Sequence, residues 1–202
     1  MADLGMKLSN NFSLGELLRS GTAERQPELK REQENPPGEV IENLTYLVET
    51  ALQPIRERLG FPIRISSGYR SPGLNAQVGG STTSQHCYGE AADCSLSPRF
   101  LESPAAVSLR RDIADRVREI TGKNLRADVN PNGYLFAFIC IHLDELDVDQ
   151  VIHEYRDDSG RPAWVHIAAS SRQDKRQIMF IGEYTGKKYL KPSLEESLSQ
   201  LT

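Results

Sequence analysis

The chain has no apolar run approaching the length of a membrane span, which removes one broad class of function at the outset. Cysteine is scarce. Cys87, Cys94 and Cys140 make an odd count without CxxC spacing, which argues against both a disulfide framework and a structural zinc knuckle. Positive charge is not in excess either: 24 Lys and Arg stand against 28 Asp and Glu, a formal net charge of −4, so no broad basic surface is on offer to a nucleic acid. The opening MADLGMKLSNN lacks the basic start and apolar core of a secretory signal, and the expectation is synthesis in the cytoplasm without a recognisable signal peptide. No internal repeat is visible. What remains, 202 residues at 38% hydrophobic and 26% charged, is the composition of one globular domain. Within it, residues 1–38 read as an N-terminal helix and loop, 39–190 as the core and 191–202 as a polar tail, of which Leu194 to Thr202 is expected to be disordered.

The stretch from Ile65 to Asp93, ISSGYRSPGLNAQVGGSTTSQHCYGEAAD, has almost no hydrocarbon to bury but carries an Arg, a His and an Asp among glycines. His86 and Asp93 are both good zinc ligands, and a metal site that does chemistry takes three protein ligands and leaves one position to water. Gly89 permits a turn that a β-carbon would resist, and Ala91 and Ala92 are small enough for that turn to lie against its neighbours. One turn can thus aim His86 and Asp93 at one point. Cys87 is a rival ligand by adjacency, although a small semi-buried thiol is the commoner fate of a lone cysteine. Arg70 beside such a site can hold a substrate carboxylate or a polarised carbonyl oxygen with its planar fork, the bland alternative being a structural ion pair. Tyr69, Asn75, Gln77 and Ser84 are weaker candidates for substrate contacts.

A third ligand is available downstream. Period-two alternation in AWVHIA, residues 163–168, makes a strand with Trp164 and His166 on one face. QVIHEY, residues 150–155, is another strand, and RDDSGRP between them has the Asp, Ser, Gly and Pro of a turn. The two form a hairpin in which Glu154 lies opposite Trp164 to His166 and on the face of His166. His153 points to the other face. Trp164 could line a cleft or pack in a core.

Elsewhere the signals are structural. FSLGELLRS has Ser13 and Glu16 at capping-box spacing, which predicts a short helix. Glu24 to Gly38 is polar, ends in PPG and is expected to be a surface loop. Glu39 to Leu59 carries apolar residues at helical spacing, with Pro54 as a kink and Gly60 as the stop. FPIRIS is a strand, Pro98 to Ser108 a linker, Leu109 to Ile120 a charged helix, and Lys123 to Gly133 a structure-breaking stretch ending in NPNG. YLFAFICIH is a buried helix or strand, with His142 at its edge, and Gln177 to Gly182 is expected to be the last strand, followed by a turn at YTGKK.

Ser84-x-His86-x-x-Gly89-x-Ala91-x-Asp93, followed by Trp164-x-His166, resembles the zinc-site signature of peptidase family M15. The resemblance is to the branch named for the C-terminal domain of zinc D-Ala-D-Ala carboxypeptidases, in the group of D-Ala-D-Ala carboxypeptidases and L,D-endopeptidases that includes phage endolysins. NFSLGELLRSGTA, LQPIRERLGFPIRISSGYRSPGLNAQVGGS and LDVDQVIHE carry it over most of the chain. It implies a Zn2+ ion held by His86, Asp93 and His166, an Arg70 that contacts substrate, and a carboxylate base. Much of the wider group has an acid three positions before the last His, where this chain has Ala163, so Glu154 of the preceding strand is the implied substitute. Asp157 and Asp158 are the alternatives.

The expectation is therefore a single-domain α+β fold like that of the hedgehog and D-Ala-D-Ala-peptidase proteins, a small antiparallel sheet packed against helices. Its implied activity is zinc-dependent hydrolysis of a peptide bond in the peptidoglycan stem peptide, by a monomer acting at the cell wall in a phage or cellular setting. Glu154 and Arg70 would be catalytic, and Ser84, Gln77, Trp164 and Tyr69 would contact substrate. A zinc-holding binding module without activity, or a phage structural component, is the alternative reading, and no separate wall-binding module is recognisable.

Overall fold

The computed structural model describes residues 2–154, 160–172, 175–181, 189–190 and 192–202. Its first helix, α1 (Leu14–Leu18), starts as the capping-box spacing predicts: the Glu16 carboxylate accepts the Ser13 backbone N–H at 2.8 Å. The polar stretch that follows is not a loop. It forms a 3₁₀ turn (Ala23–Arg25) and α2 (Pro27–Gln33), whose proline occupies the first helical position and whose interior Glu, Leu, Lys, Arg and Gln are good helix formers.

The long helix is present but in three parts: α3 (Gly38–Leu47), a π turn (Val48–Leu52) and α4 (Gln53–Leu59). Pro54 has no N–H to give to a continuous α-helical ladder, and the chain widens by one turn just ahead of it. Leu44, Leu47, Val48, Leu52 and Ile55 along this rod are fully buried, and Gly60 ends it in the left-handed conformation at φ 59°.

Next come β1 (Ile63–Ser67), α5 (Pro72–Gln77), a 3₁₀ turn (Gln85–Tyr88) and β2 (Ala91–Leu96). The expected linker instead holds α6 (Arg99–Glu102) and a 3₁₀ turn, and leads into α7 (Val107–Thr121). NPNG does not break structure. Asn130 is an N-cap whose side chain accepts the Gly133 N–H at 2.8 Å, Pro131 takes the first position, and YLFAFICI is the buried helix α8 (Pro131–Ile141).

The remaining strands are β3 (Gln150–Glu154), β4 (Trp164–Ala168), β5 (Gln177–Ile181) and β6 (Tyr189–Leu190), before α9 (Leu194–Ser199). Two expectations fail here. β5 is followed by another short strand, and residues 194–202 are an ordered, docked end to the chain rather than a disordered tail: Ser193 and Glu196 cap the helix α9, and Leu198 within it and Leu201 just beyond it are buried. The YTGKK segment and Asp157 and Asp158 lie outside the described residues.

The strands form one sheet in the order β1-β2-β4-β3-β5-β6, antiparallel except for the β3–β5 pair. The protein is thus a single-domain α+β fold with a mostly antiparallel open sheet. Alternation divides the residues of β2, β3 and β4 between two faces. Cys94, Val151, His153, Val165 and Ile167 face the core, where α8 lies against the sheet and the His153 ring meets Phe136 edge-on. Each large side chain buried there contributes about 1.5–3 kcal/mol relative to exposure. Asp93, Ile152, Glu154, Trp164 and His166 share the other face.

Candidate metal centre

The hairpin register decides which side chains meet. Glu154 pairs with Trp164 and Ile152 with His166, while on the far side of β4 Asp93 pairs with His166. Directly opposed residues on adjacent antiparallel strands have their Cβ atoms about 4.5–5.5 Å apart on the same face. Asp93 and His166 are therefore neighbours by pairing alone, and Glu154 is one step along the same face.

His86 arrives from outside the sheet. The 3₁₀ turn that carries it ends at Gly89, with φ 74°, where a Cβ would approach the Val40 carbonyl oxygen to 2.7 Å. Only glycine satisfies both the left-handed backbone and the close approach to α3. The His86 ring is then oriented by its Nδ1, which lies 2.6 Å from the Gly68 carbonyl and donates to it. That bond fixes the tautomer and turns the lone pair of Nε2 into the site.

Three atoms converge. His86 Nε2, His166 Nδ1 and Asp93 Oδ1 lie 3.2 Å from one another in all three pairings. Ligands about 2.0–2.1 Å from a tetrahedral zinc are about 3.3 Å apart, so the spacing suits an ion of that radius. All three residues are buried, and the buried Nε2 of His166 has no hydrogen-bond partner. This is the group of His, Cys, Asp and Glu side chains among the described residues whose ligand atoms come together closely enough to hold a metal, and Cys87 is outside it. The donor set fits zinc: two neutral imidazole nitrogens and one carboxylate.

Electrostatics keep the carboxylate charged. Burial pushes the Asp93 pKa up, but the charges and hydrogen bonds of His86 and His166 outweigh it and hold the carboxyl well below the usual carboxylate range. Arg70 joins them, its Nη2 donating to Asp93 Oδ2 at 2.7 Å and its Nε to Ser67 Oγ at 2.9 Å. Glu154 is raised, mainly by burial, with the Asp93 charge adding to the effect and the His166 charge and the Trp164 hydrogen bond opposing it. The Trp164 indole Nε1 donates to Glu154 Oε2 at 2.8 Å.

These groups sit in an open cleft of about 1140 Å³, lined also by Ser84 and Trp164. Tyr69 and Gln77, expected to contact substrate, are placed elsewhere. Tyr69 is buried in the core because its backbone is tied on both sides, and Gln77 points to solvent at the end of α5. Asn75 is buried and turned inward, its Nδ2 donating to the Ser81 carbonyl at 2.9 Å.

Gln33 is the residue that sequence reasoning missed. Buried on α2, its Nε2 donates to the carbonyls of Leu18 at 2.9 Å and Tyr69 at 2.6 Å, and its Oε1 accepts the Ser71 N–H at 2.8 Å. One amide thus clamps the backbone on both sides of Arg70. A second overlooked support is Asp149, buried behind the site, which accepts from Gln85 Nε2 at 3.1 Å and from the Lys175 N–H at 2.7 Å.

A half-open cleft with a His, Asp, His triplet on its floor and a buried carboxylate beside it has the layout of a metallopeptidase. A model of the Peptidase M15 family matches residues 10–115, and the chain belongs to that family. The matched span contains Arg70, His86 and Asp93, whereas Glu154 and His166 lie beyond it. No curated protein matches the chain.

Proposed function

We propose that this protein is a zinc-dependent hydrolase that cleaves a peptide bond of bacterial peptidoglycan, as a D-Ala-D-Ala carboxypeptidase or an L,D-endopeptidase. The observation that carries the reading is the mutual 3.2 Å spacing of His86 Nε2, Asp93 Oδ1 and His166 Nδ1 on the floor of the cleft. Membership of a peptidase family supports the reaction class. The cleft volume, about 1140 Å³, is above the usual size of a small-molecule pocket and suits an extended peptide. The protein acts as a monomer, and the cell wall is its site of action.

When bound by His86, Asp93 and His166, zinc lowers the pKa of a water toward neutrality and polarises the scissile carbonyl. Glu154 takes the proton from the attacking water at Oε1 while Trp164 holds Oε2, and then delivers that proton to the leaving amine. Arg70 keeps Asp93 charged and in place through Nη2, and Nη1 is left to meet a substrate oxygen. Gly68 holds the His86 ring through Nδ1.

The test is mass spectrometry of muropeptides released by the zinc-loaded protein, with a chelated control. New stem-peptide fragments that vanish on chelation support the proposal. A protein that binds zinc and peptidoglycan but releases nothing is instead the binding module that Ala163 suggests.

A further inference from the structure

The cleft differs in charge from the rest of the molecule. The chain as a whole carries a formal net charge of −4, yet five cationic side chains and three carboxylates line this cleft. The carboxylates are all engaged: Asp93 with Arg70, Glu154 with Trp164, and the buried Glu90 with Arg172 at 2.6 Å and Ser170 at 2.7 Å. That accounts for two of the cations. Arg19, Arg25 and Lys175 are exposed in the same cleft, and among the described residues no ion pair within 4.0 Å joins any of their side-chain charges to a carboxylate.

Their backbones are fixed although their side chains are free to reach. Arg19 follows Leu18, whose carbonyl is held by Gln33, and Arg25 closes a 3₁₀ turn that begins where Ser20 Oγ accepts the Ala23 N–H at 3.2 Å. Lys175 is anchored through its own N–H to Asp149, which also grips Gln85 beside His86. Two separate stretches of chain, each braced to the turns that build the metal centre, thus bring uncompensated positive charge to the path of the substrate.

We propose that Arg19, Arg25 and Lys175 form a carboxylate-reading lip: the cleft selects stem peptides whose acidic groups are free over the same peptides with those groups amidated. This rests on the hydrolase reading of the same cleft and adds a specificity to it. An ionised carboxylate gains from several nearby cations, whereas a primary amide gains little, and the contact is made away from the scissile bond. Its loss is therefore felt in KM rather than in kcat.

The experiment compares two synthetic stem peptides with the zinc-loaded protein, one with the α-carboxyl of its D-glutamate free and one with that group as a primary amide. Exposed charge pairs are each worth about 0.2–1 kcal/mol, so three together predict a preference of about three- to 150-fold in kcat/KM for the free acid. The triple variant Arg19→Gln/Arg25→Gln/Lys175→Gln should abolish it, and Arg19→Lys/Arg25→Lys/Lys175→Arg should keep it. Raising salt from about 0.05 to about 0.5 M should shrink the preference of the unaltered protein, a reading that does not depend on any variant folding. Equal cleavage of both peptides, or a preference that survives both salt and the glutamine variant, overturns the lip and leaves the hydrolase reading standing. Cleavage of neither, in a protein that holds zinc, overturns both.

Discussion

Gln33→Leu is the sharpest test of how the scaffold holds the site, because the residue touches neither the donor triplet nor the cleft. The substitution puts an apolar side chain of similar size in the buried position and removes a donor pair and an acceptor. The Leu18 and Tyr69 carbonyls and the Ser71 N–H then lose the partner each has in the native structure. A buried backbone group left unpaired costs about 1–3 kcal/mol, so even at the low end three of them destabilise by about 3 kcal/mol. In a chain of this length 1 kcal/mol moves the melting temperature by about 2–4 °C, which places the expected fall at about 6–12 °C. Because Tyr69 and Ser71 flank Arg70, and the Arg70 N–H bonds the His86 carbonyl at 3.1 Å, zinc affinity should fall as well. The assay is thermal unfolding by circular dichroism, with and without zinc, beside Gln33→Glu, which keeps the acceptor for Ser71 but faces two carbonyls with a carboxylate. A leucine variant melting within about 2 °C of the parent would refute the clamp, since even one unpaired buried group should exceed that shift.

Other outcomes follow from the same geometry. Glu154→Gln should lower turnover by about 10²–10⁴-fold with zinc content unchanged, measured by muropeptide release and elemental analysis side by side; equal loss of zinc would make Glu154 a ligand instead. Zinc at about 1,000 times its dissociation constant should stabilise the folded protein by about 4 kcal/mol, visible as a rise in melting temperature that a chelator reverses. Gly89→Ala should destabilise by about 1–3 kcal/mol from its left-handed backbone alone, with the 2.7 Å approach to the Val40 carbonyl adding to it, and denaturant titration would reveal a neutral effect if the turn can relax.

Much of the site was legible because its determinants are local. The His86 to Asp93 spacing straddles one glycine turn and one strand start, and the His166 and Glu154 faces follow from period two and the length of a hairpin. What could not be read is what depends on tertiary partners. α2 hides in a polar sequence because a single buried amide, rather than an apolar stripe, ties it down. α9 has few apolar residues, and Leu198 and Leu201 count only because other helices cover them. NPNG signals a break and a helix start equally well, and only the Asn130 cap resolves it. The parallel placement of β5 beside β3 is a long-range pairing with no sequence signature, and Tyr69 could be assigned to the core only once the backbone bonds beside it were seen.

The central claim is that two imidazoles and one carboxylate hold a zinc ion with a position to spare. X-ray absorption at the zinc edge of the purified, zinc-loaded protein addresses it directly. The account predicts one zinc per chain with only nitrogen and oxygen neighbours at about 2.0–2.2 Å, two of them imidazoles, and loss of the ion in His86→Ala and His166→Ala. A sulfur neighbour at about 2.3 Å, which would bring in Cys87, or zinc retained after both histidines are removed, would contradict it.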